Sequence, residues 1–241
     1  MMSMSAENLT YNRQRLDEFW QWFVKHTAHI NDALSLDPND TCSDDTLFSI
    51  VEMNDLFEMV TTDITYRIQL ADQDTEDNAL VITAEGYAEH FPLVSEIAQS
   101  APEIPGWKVV SFKPPEEFPE KTIIQFKEHD VCLTEIKCAV TKSNNQFAVT
   151  LWIPGFEDRY TEEFMYGATM ALDAVLGEYY AGLMTQSLLV LPPGVSLNVK
   201  CKRLDRTPPL DHIERRFGSD RLVLKPTPIL ELPTLLKAYY Q

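Results

Sequence analysis

At Asp63 the spacing of apolar residues changes, and this change constrains the fold more than any other feature of the chain. Before it, apolar side chains recur every three or four positions; after it, alternating and helical stretches take turns. The first pattern requires helices packed by one face, and the second requires strands with helices between them, so the expected class is α+β. A helix is predicted from about Tyr11 to Leu34, with Leu16, Phe19, Trp20, Phe23, Val24, Thr27 and Ile30 forming one stripe. Trp22 lies about 200° around the wheel from Trp20, which makes it a second packing surface or an exposed contact aromatic. A polar connection over 37–45 precedes a second predicted helix, from about Thr46 to Val60.

Beyond Asp63 the order reads β-β-α-β twice. The first pass is Ile64–Leu70, an acidic turn over 71–78, Ala79–Ala84, a helix over Phe91–Ala98, and Trp107–Phe112. The second is an alternating run over Val131–Val140, a turn over 143–145, Phe147–Ile153, a helix over Thr161–Leu176, and Ser187–Leu191. With an offset of 69, Leu80–Phe91 lies over Val149–Tyr160: Gly86 meets Gly155, Tyr87 meets Phe156, Glu89 meets Asp158, and His90 meets Arg159. Each last strand is followed by two prolines, Pro114-Pro115 and Pro192-Pro193, which remove ladder donors. The expected architecture is therefore an N-terminal helical segment (1–62), two ferredoxin-like β-β-α-β halves (63–119 and 120–195) related by internal duplication, and a basic C-terminal extension (196–241). All four are expected in one compact globule. The extension should hold a turn at 207–209, a short helix over Leu210–Phe217, an extended stretch over Arg221–Lys225 and a closing helical turn over Leu235–Tyr240.

Charge is unevenly distributed. Residues 1–104 hold 20 acidic and 4 basic side chains, whereas the whole chain is net −17, so nearly all the excess is N-terminal. General nucleic-acid binding, which needs clustered cations to displace phosphate counterions, is not expected. Between Ser196 and Lys225, eight basic residues outnumber four acidic ones, and this strip reads as an internal complement to the acidic part.

The stretch Met1–Glu7 has neither a cationic start nor an apolar run, and no segment approaches the ~18 apolar residues of a membrane span, so a cytoplasmic protein without membrane association is expected. Cys132 and Cys138, six apart in one strand-like run, would be about 20 Å apart and unable to form a disulfide. With Cys42 and Cys201 they read as reduced thiols, and the alternation of Cys132 and Cys138 with Thr134, Ile136 and Val140 places them in a buried sheet face.

No nucleophile elbow, phosphate loop or dinucleotide fingerprint occurs. His26, His29 and Asp32 have metal-like spacing on the first helix but lack a further ligand pair, so no metal, cofactor or catalytic residue is assigned. Strand ends, glycines, aromatics and ionisable groups converge only at the two strand-to-helix joints. The candidate binding residues are accordingly Glu85, Tyr87, Glu89, His90, Phe156, Asp158 and Arg159, with Glu178 after the helix end at Gly177, and Trp22. The competing reading of these acids is structural, as complements of helix N-termini.

The segments Phe19-Trp20-Gln21-Trp22-Phe23, Ala84-Glu85-Gly86, Phe91-Pro92-Leu93-Val94, Ala101-Pro102 to Trp107, and Leu176-Gly177-Glu178-Tyr179 resemble a family of bacterial cytosolic proteins of unknown function, over roughly residues 15–195. That resemblance implies no activity. The functional expectation is an acidic binding or regulatory protein with a basic protein partner, in the manner of immunity proteins that neutralise toxins. A homodimer is admitted, and the alternative is a small-molecule enzyme using Glu85, Glu89 and Glu178 in the cleft between the halves.

Overall fold

The computed structural model of the chain describes residues 11–34, 44–71, 77–126, 129–143, 146–200, 204, 210–217 and 221–239. Cys42, Cys201, most of the acidic turn over 71–78, the turn at 207–209 and Lys202, Arg203, Asp205 and Arg206 of the basic strip lie outside the described residues. The protein is α+β, and its chain divides into two compact units, Met1–Lys113 and Pro114–Gln241. No helix among the described residues is long and apolar enough to cross a membrane.

The first unit opens with helices α1 (Arg13–Leu34) and α2 (Asp44–Val60). Asn12 caps α1, its side-chain oxygen accepting the Arg15 N–H at 3.1 Å, which satisfies one of the free donors of the first turn. Of the expected stripe, Leu16, Phe19, Trp20, Phe23 and Ile30 are buried, but Val24 is 41% exposed. Val24 sits at the edge of the stripe, where the apolar arc is wider than the surface available to cover it. Strands β1 (Thr65–Gln69), β2 (Asn78–Thr83) and β3 (Trp107–Ser111) follow, with helix α3 (Phe91–Gln99) between the last two. β2 is central, antiparallel to β1 and parallel to β3. The core of this unit is aromatic: Phe19 meets Trp20 and Phe57 edge-on at 5.0 and 5.2 Å, and Phe23 meets Trp107 at 5.1 Å.

The second unit begins with an antiparallel pair, β4 (Ile123–Phe126) and β5 (His129–Cys132), then β6 (Lys137–Ser143), β7 (Gln146–Trp152), helices α4 (Thr161–Leu176) and α5 (Glu178–Met184), and β8 (Thr185–Leu191). Strands β9 (Asn198–Lys200), β10 (Ile213–Phe217) and β11 (Arg221–Leu224), the two-residue β12 (Thr227–Pro228) and helix α6 (Leu232–Ala238) complete it. The main sheet runs β12-β6-β7-β8, with β6 and β7 antiparallel and β7 and β8 parallel. This repeats the pairing of the first unit's sheet. Alternation buries both faces: Cys138, Val140, Val149 and Leu151 join the core that includes α4 and α6, whereas Ala139 and Trp152 pack with Leu222 and Leu224 of β11.

Two expectations are corrected here. The alternating run over Val131–Val140 is two strands, because a tight turn over Leu133–Glu135 interrupts it; Glu135 accepts the Cys132 N–H at 3.1 Å in a reciprocal cap. Cys132 consequently leaves the buried face that Cys138 keeps, and is half-buried with its thiol donating to the Glu120 carbonyl at 3.3 Å. The helix expected over Leu210–Phe217 is one short turn followed by β10, which pairs with β11. Backbone partners supplied by β11 outweigh the weak local preference of Ile213-Glu214-Arg215-Arg216.

Burial, reinforced by the Glu231 carboxylate, pushes the Cys138 thiol up to about 12. Thiolate formation is thus suppressed at neutral pH, and the stability this contributes is complete below the ordinary thiol pKa and lost as pH rises from there to about 12. Alkylation of native protein near pH 8 is expected to spare Cys138, which should react only with the rate of unfolding. Rapid native labelling at Cys138, read by peptide mass mapping, would contradict this.

Candidate functional site

The first joint leaves β2 through Glu85 and Gly86, both in the left-handed region with φ of 52° and 88°. A non-glycine residue there costs of order 1–2 kcal/mol, so Glu85 must be held by its surroundings. Its N–H donates to Thr83 Oγ1 at 3.0 Å. The Arg67 guanidinium grips its carboxylate through Nε at 3.1 Å and Nη2 at 3.0 Å, and Lys113 Nζ reaches Oε2 at 3.3 Å. Arg67 belongs to β1 and Lys113 follows β3, so Glu85 ties the strands flanking β2 across one end of the sheet. The capping role weighed for Glu85 is therefore replaced by a cross-strand ion clamp. The residues that start the following turn and helix, Tyr87 and His90, make no side-chain cap. Tyr87 is 61% exposed and meets the half-buried His90 ring edge-on at 6.4 Å, with Glu89 exposed beside them.

The second joint has the same backbone turn and different chemistry. Gly155 has φ of 76°, matching Gly86, and Phe156 N–H donates to the Ile153 carbonyl at 3.3 Å. Pro154 stands where the first unit has Glu85, so no carboxylate clamp is built. Phe156 packs edge-on against Phe164 at 5.2 Å and is a core residue more than a contact residue. Arg159 pairs with Glu157 at 2.8 Å and lies over the Tyr160 ring, and Asp158 is exposed. The joints share conformation because a strand must turn sharply into a helix at both, while their side-chain chemistry differs.

Trp22 is half-buried and stacked on His26, with ring centroids 4.3 Å apart and planes 19° apart; its indole N–H finds no acceptor among the described residues. His26 Nδ1 is 2.7 Å from the Trp22 carbonyl oxygen. Glu178 is fully buried at the start of α5, in the second unit, whereas Glu85 and Glu89 belong to the first. Asp173, five residues earlier on α4, is the other buried carboxylate among the described residues. It escaped sequence reading, although an acid inside the apolar stretch Ala171-Leu172-Asp173-Ala174-Val175 was the available signal.

Two clefts among the described residues do not contain these groups. One of about 370 Å³ in the second unit is walled by Val175, Leu176, Tyr180, Leu236, Lys237 and two prolines. Another of about 400 Å³ in the first unit lies between α1 and α3. No predicted site residue lines either.

The outward face of α2 also went unread in the sequence. Met53, Phe57 and Val60 are buried, yet Phe48, Val51 and Met59 are 67, 55 and 53% exposed. Asp55 and Glu58 are exposed among them and Glu52 is half-buried. The signal was a helix apolar on both sides, which one buried stripe does not require. No family model, characterised protein or solved structure matches the chain.

Proposed function

We propose that the protein is a non-catalytic, cytoplasmic binding protein whose acidic N-terminal unit takes a basic protein partner, as immunity proteins that mask cationic toxins do. The observation that carries this reading is the excess of acidic over basic side chains within the first unit. Residues 1–113 hold 20 acidic and 6 basic side chains. Three of those six cations are already committed inside the unit, Arg15 to Glu18 and both Arg67 and Lys113 to Glu85. The remaining carboxylates far outnumber the remaining cations, and a field of one sign steers an oppositely charged partner and raises its association rate. The occupation of Glu85 by two cations supports binding over acid–base chemistry at that carboxylate. The shared pairing of the two sheets and the matching φ at Gly86 and Gly155 support an internal duplication.

The test is capture by the immobilised full chain at low salt, followed by kinetics of the recovered pair. A basic partner is expected, with an association rate falling about tenfold or more as salt rises from about 0.05 to 0.5 M. Recovery of no basic protein, or a salt-independent rate, would overturn the proposal.

A further inference from the structure

We infer that the outward face of α2 is the surface on which that partner docks, and that the partner presents a cationic amphipathic helix. This rests on the reading above. On a helical wheel Phe48, Val51, Asp55 and Met59 follow one line at spacings of three and four, with Glu52 and Glu58 on either flank. At 1.5 Å per residue the line from Phe48 to Met59 is about 16 Å long, which matches three turns of a partner helix.

Scattered exposed apolar residues are ordinary on protein surfaces. Three large ones aligned on one face are a different matter, because α2 already has its inward anchors in Met53, Phe57 and Val60. A helix apolar on two sides has, among the described residues, one side without a partner of its own. The acids choose the occupant. A second copy would set Glu52, Asp55 and Glu58 against the same three carboxylates, and like charges facing each other at an interface oppose association. An anionic lipid surface is repelled for the same reason. A helix with apolar residues at i, i+4 and i+7 and lysine or arginine on both flanks satisfies both features: its apolar anchors meet Phe48, Val51 and Met59 while its flanking cations meet Glu52 and Glu58, and their long stems let one reach inward to Asp55.

The experiment uses the full chain and two synthetic peptides of about 18 residues, five helical turns. Both contain only leucine and lysine in equal composition, one arranged as an amphipathic helix and one scrambled. Binding is followed by fluorescence anisotropy at low salt. The amphipathic peptide is expected to bind about tenfold or more tightly than the scramble. The variant Phe48→Ser/Val51→Ser/Met59→Ser should lose about tenfold of that affinity while net charge and circular dichroism are retained. Val24→Ser, an exposed apolar change on α1, should lose nothing. The variant Glu52→Gln/Asp55→Asn/Glu58→Gln should flatten the salt dependence. If both peptides bind equally with strong salt dependence, or the serine variant binds as the parent does, the docking face falls and the cationic-partner reading stands. If neither peptide binds at low salt, both fall.

Discussion

Phe19→Ala lowers the free energy of unfolding by about 3–5 kcal/mol, the range for truncating a fully buried aromatic ring. Phe19 has no exposed surface and sits among Trp20, Phe23 and Phe57 at centroid distances of 5.0, 6.0 and 5.2 Å. It is a ring through which α1 meets α2, so its removal loses the transfer energy of the side chain and leaves a cavity that two rigid helices cannot close. Edge-to-face pairing with Trp20 and Phe57 adds about 0.5–1.5 kcal/mol per pair beyond area burial. Chemical denaturation read by tryptophan fluorescence should show an earlier midpoint with an unchanged slope. A loss below about 1 kcal/mol would mean that the aromatic cluster does not hold the helical pair.

Gly167→Ala destabilises the second unit by about 1–2 kcal/mol, against the usual sign for glycine in a helix. Helix propensity alone predicts a gain of about 1 kcal/mol. Sterics decide the outcome: a Cβ at Gly167 would lie 2.4 and 2.6 Å from ring carbons of Phe126. That ring is fully buried and stacked on Phe164 at 5.1 Å, so it has no free volume to retreat into. Overpacking of this kind costs about 1–3 kcal/mol or more, which exceeds the propensity gain. Adding Phe126→Leu should recover part of the loss, giving a non-zero coupling in a double-mutant cycle. A raised melting midpoint for the single variant would refute the close approach of α4 and β4.

Legibility along the chain followed the locality of the signal. Helix α4 begins and ends where the spacing of Phe164, Ala168, Ala171, Leu172 and Val175 places it, because burial of one stripe and the stop at Gly177 are both written within one segment. The β-β-α-β order of both sheets was readable for the same reason. The break after Cys132 was missed because a reciprocal cap between Cys132 and Glu135 can interrupt a run that alternates perfectly well as a strand. Strand β10 was missed because its identity comes from β11, across the turn.

The site divides in the same way. That acids, aromatics and glycines gather at the joints was visible in the sequence, and so was the N-terminal charge excess, since both depend only on which residues are present and in what order. That Glu85 is clamped depends on Arg67 and Lys113, 18 and 28 residues away, arriving at one end of a sheet. Which side of α2 is covered was decided only by what packs on it: periodicity marks faces that are able to be buried, and burial itself requires a surface from elsewhere in the chain. Composition and local spacing thus determined the class, most of the elements and the charge asymmetry. Tertiary structure alone decided that Glu85 is engaged, that Glu178 is buried, and that Phe48, Val51 and Met59 stand outward beside three carboxylates.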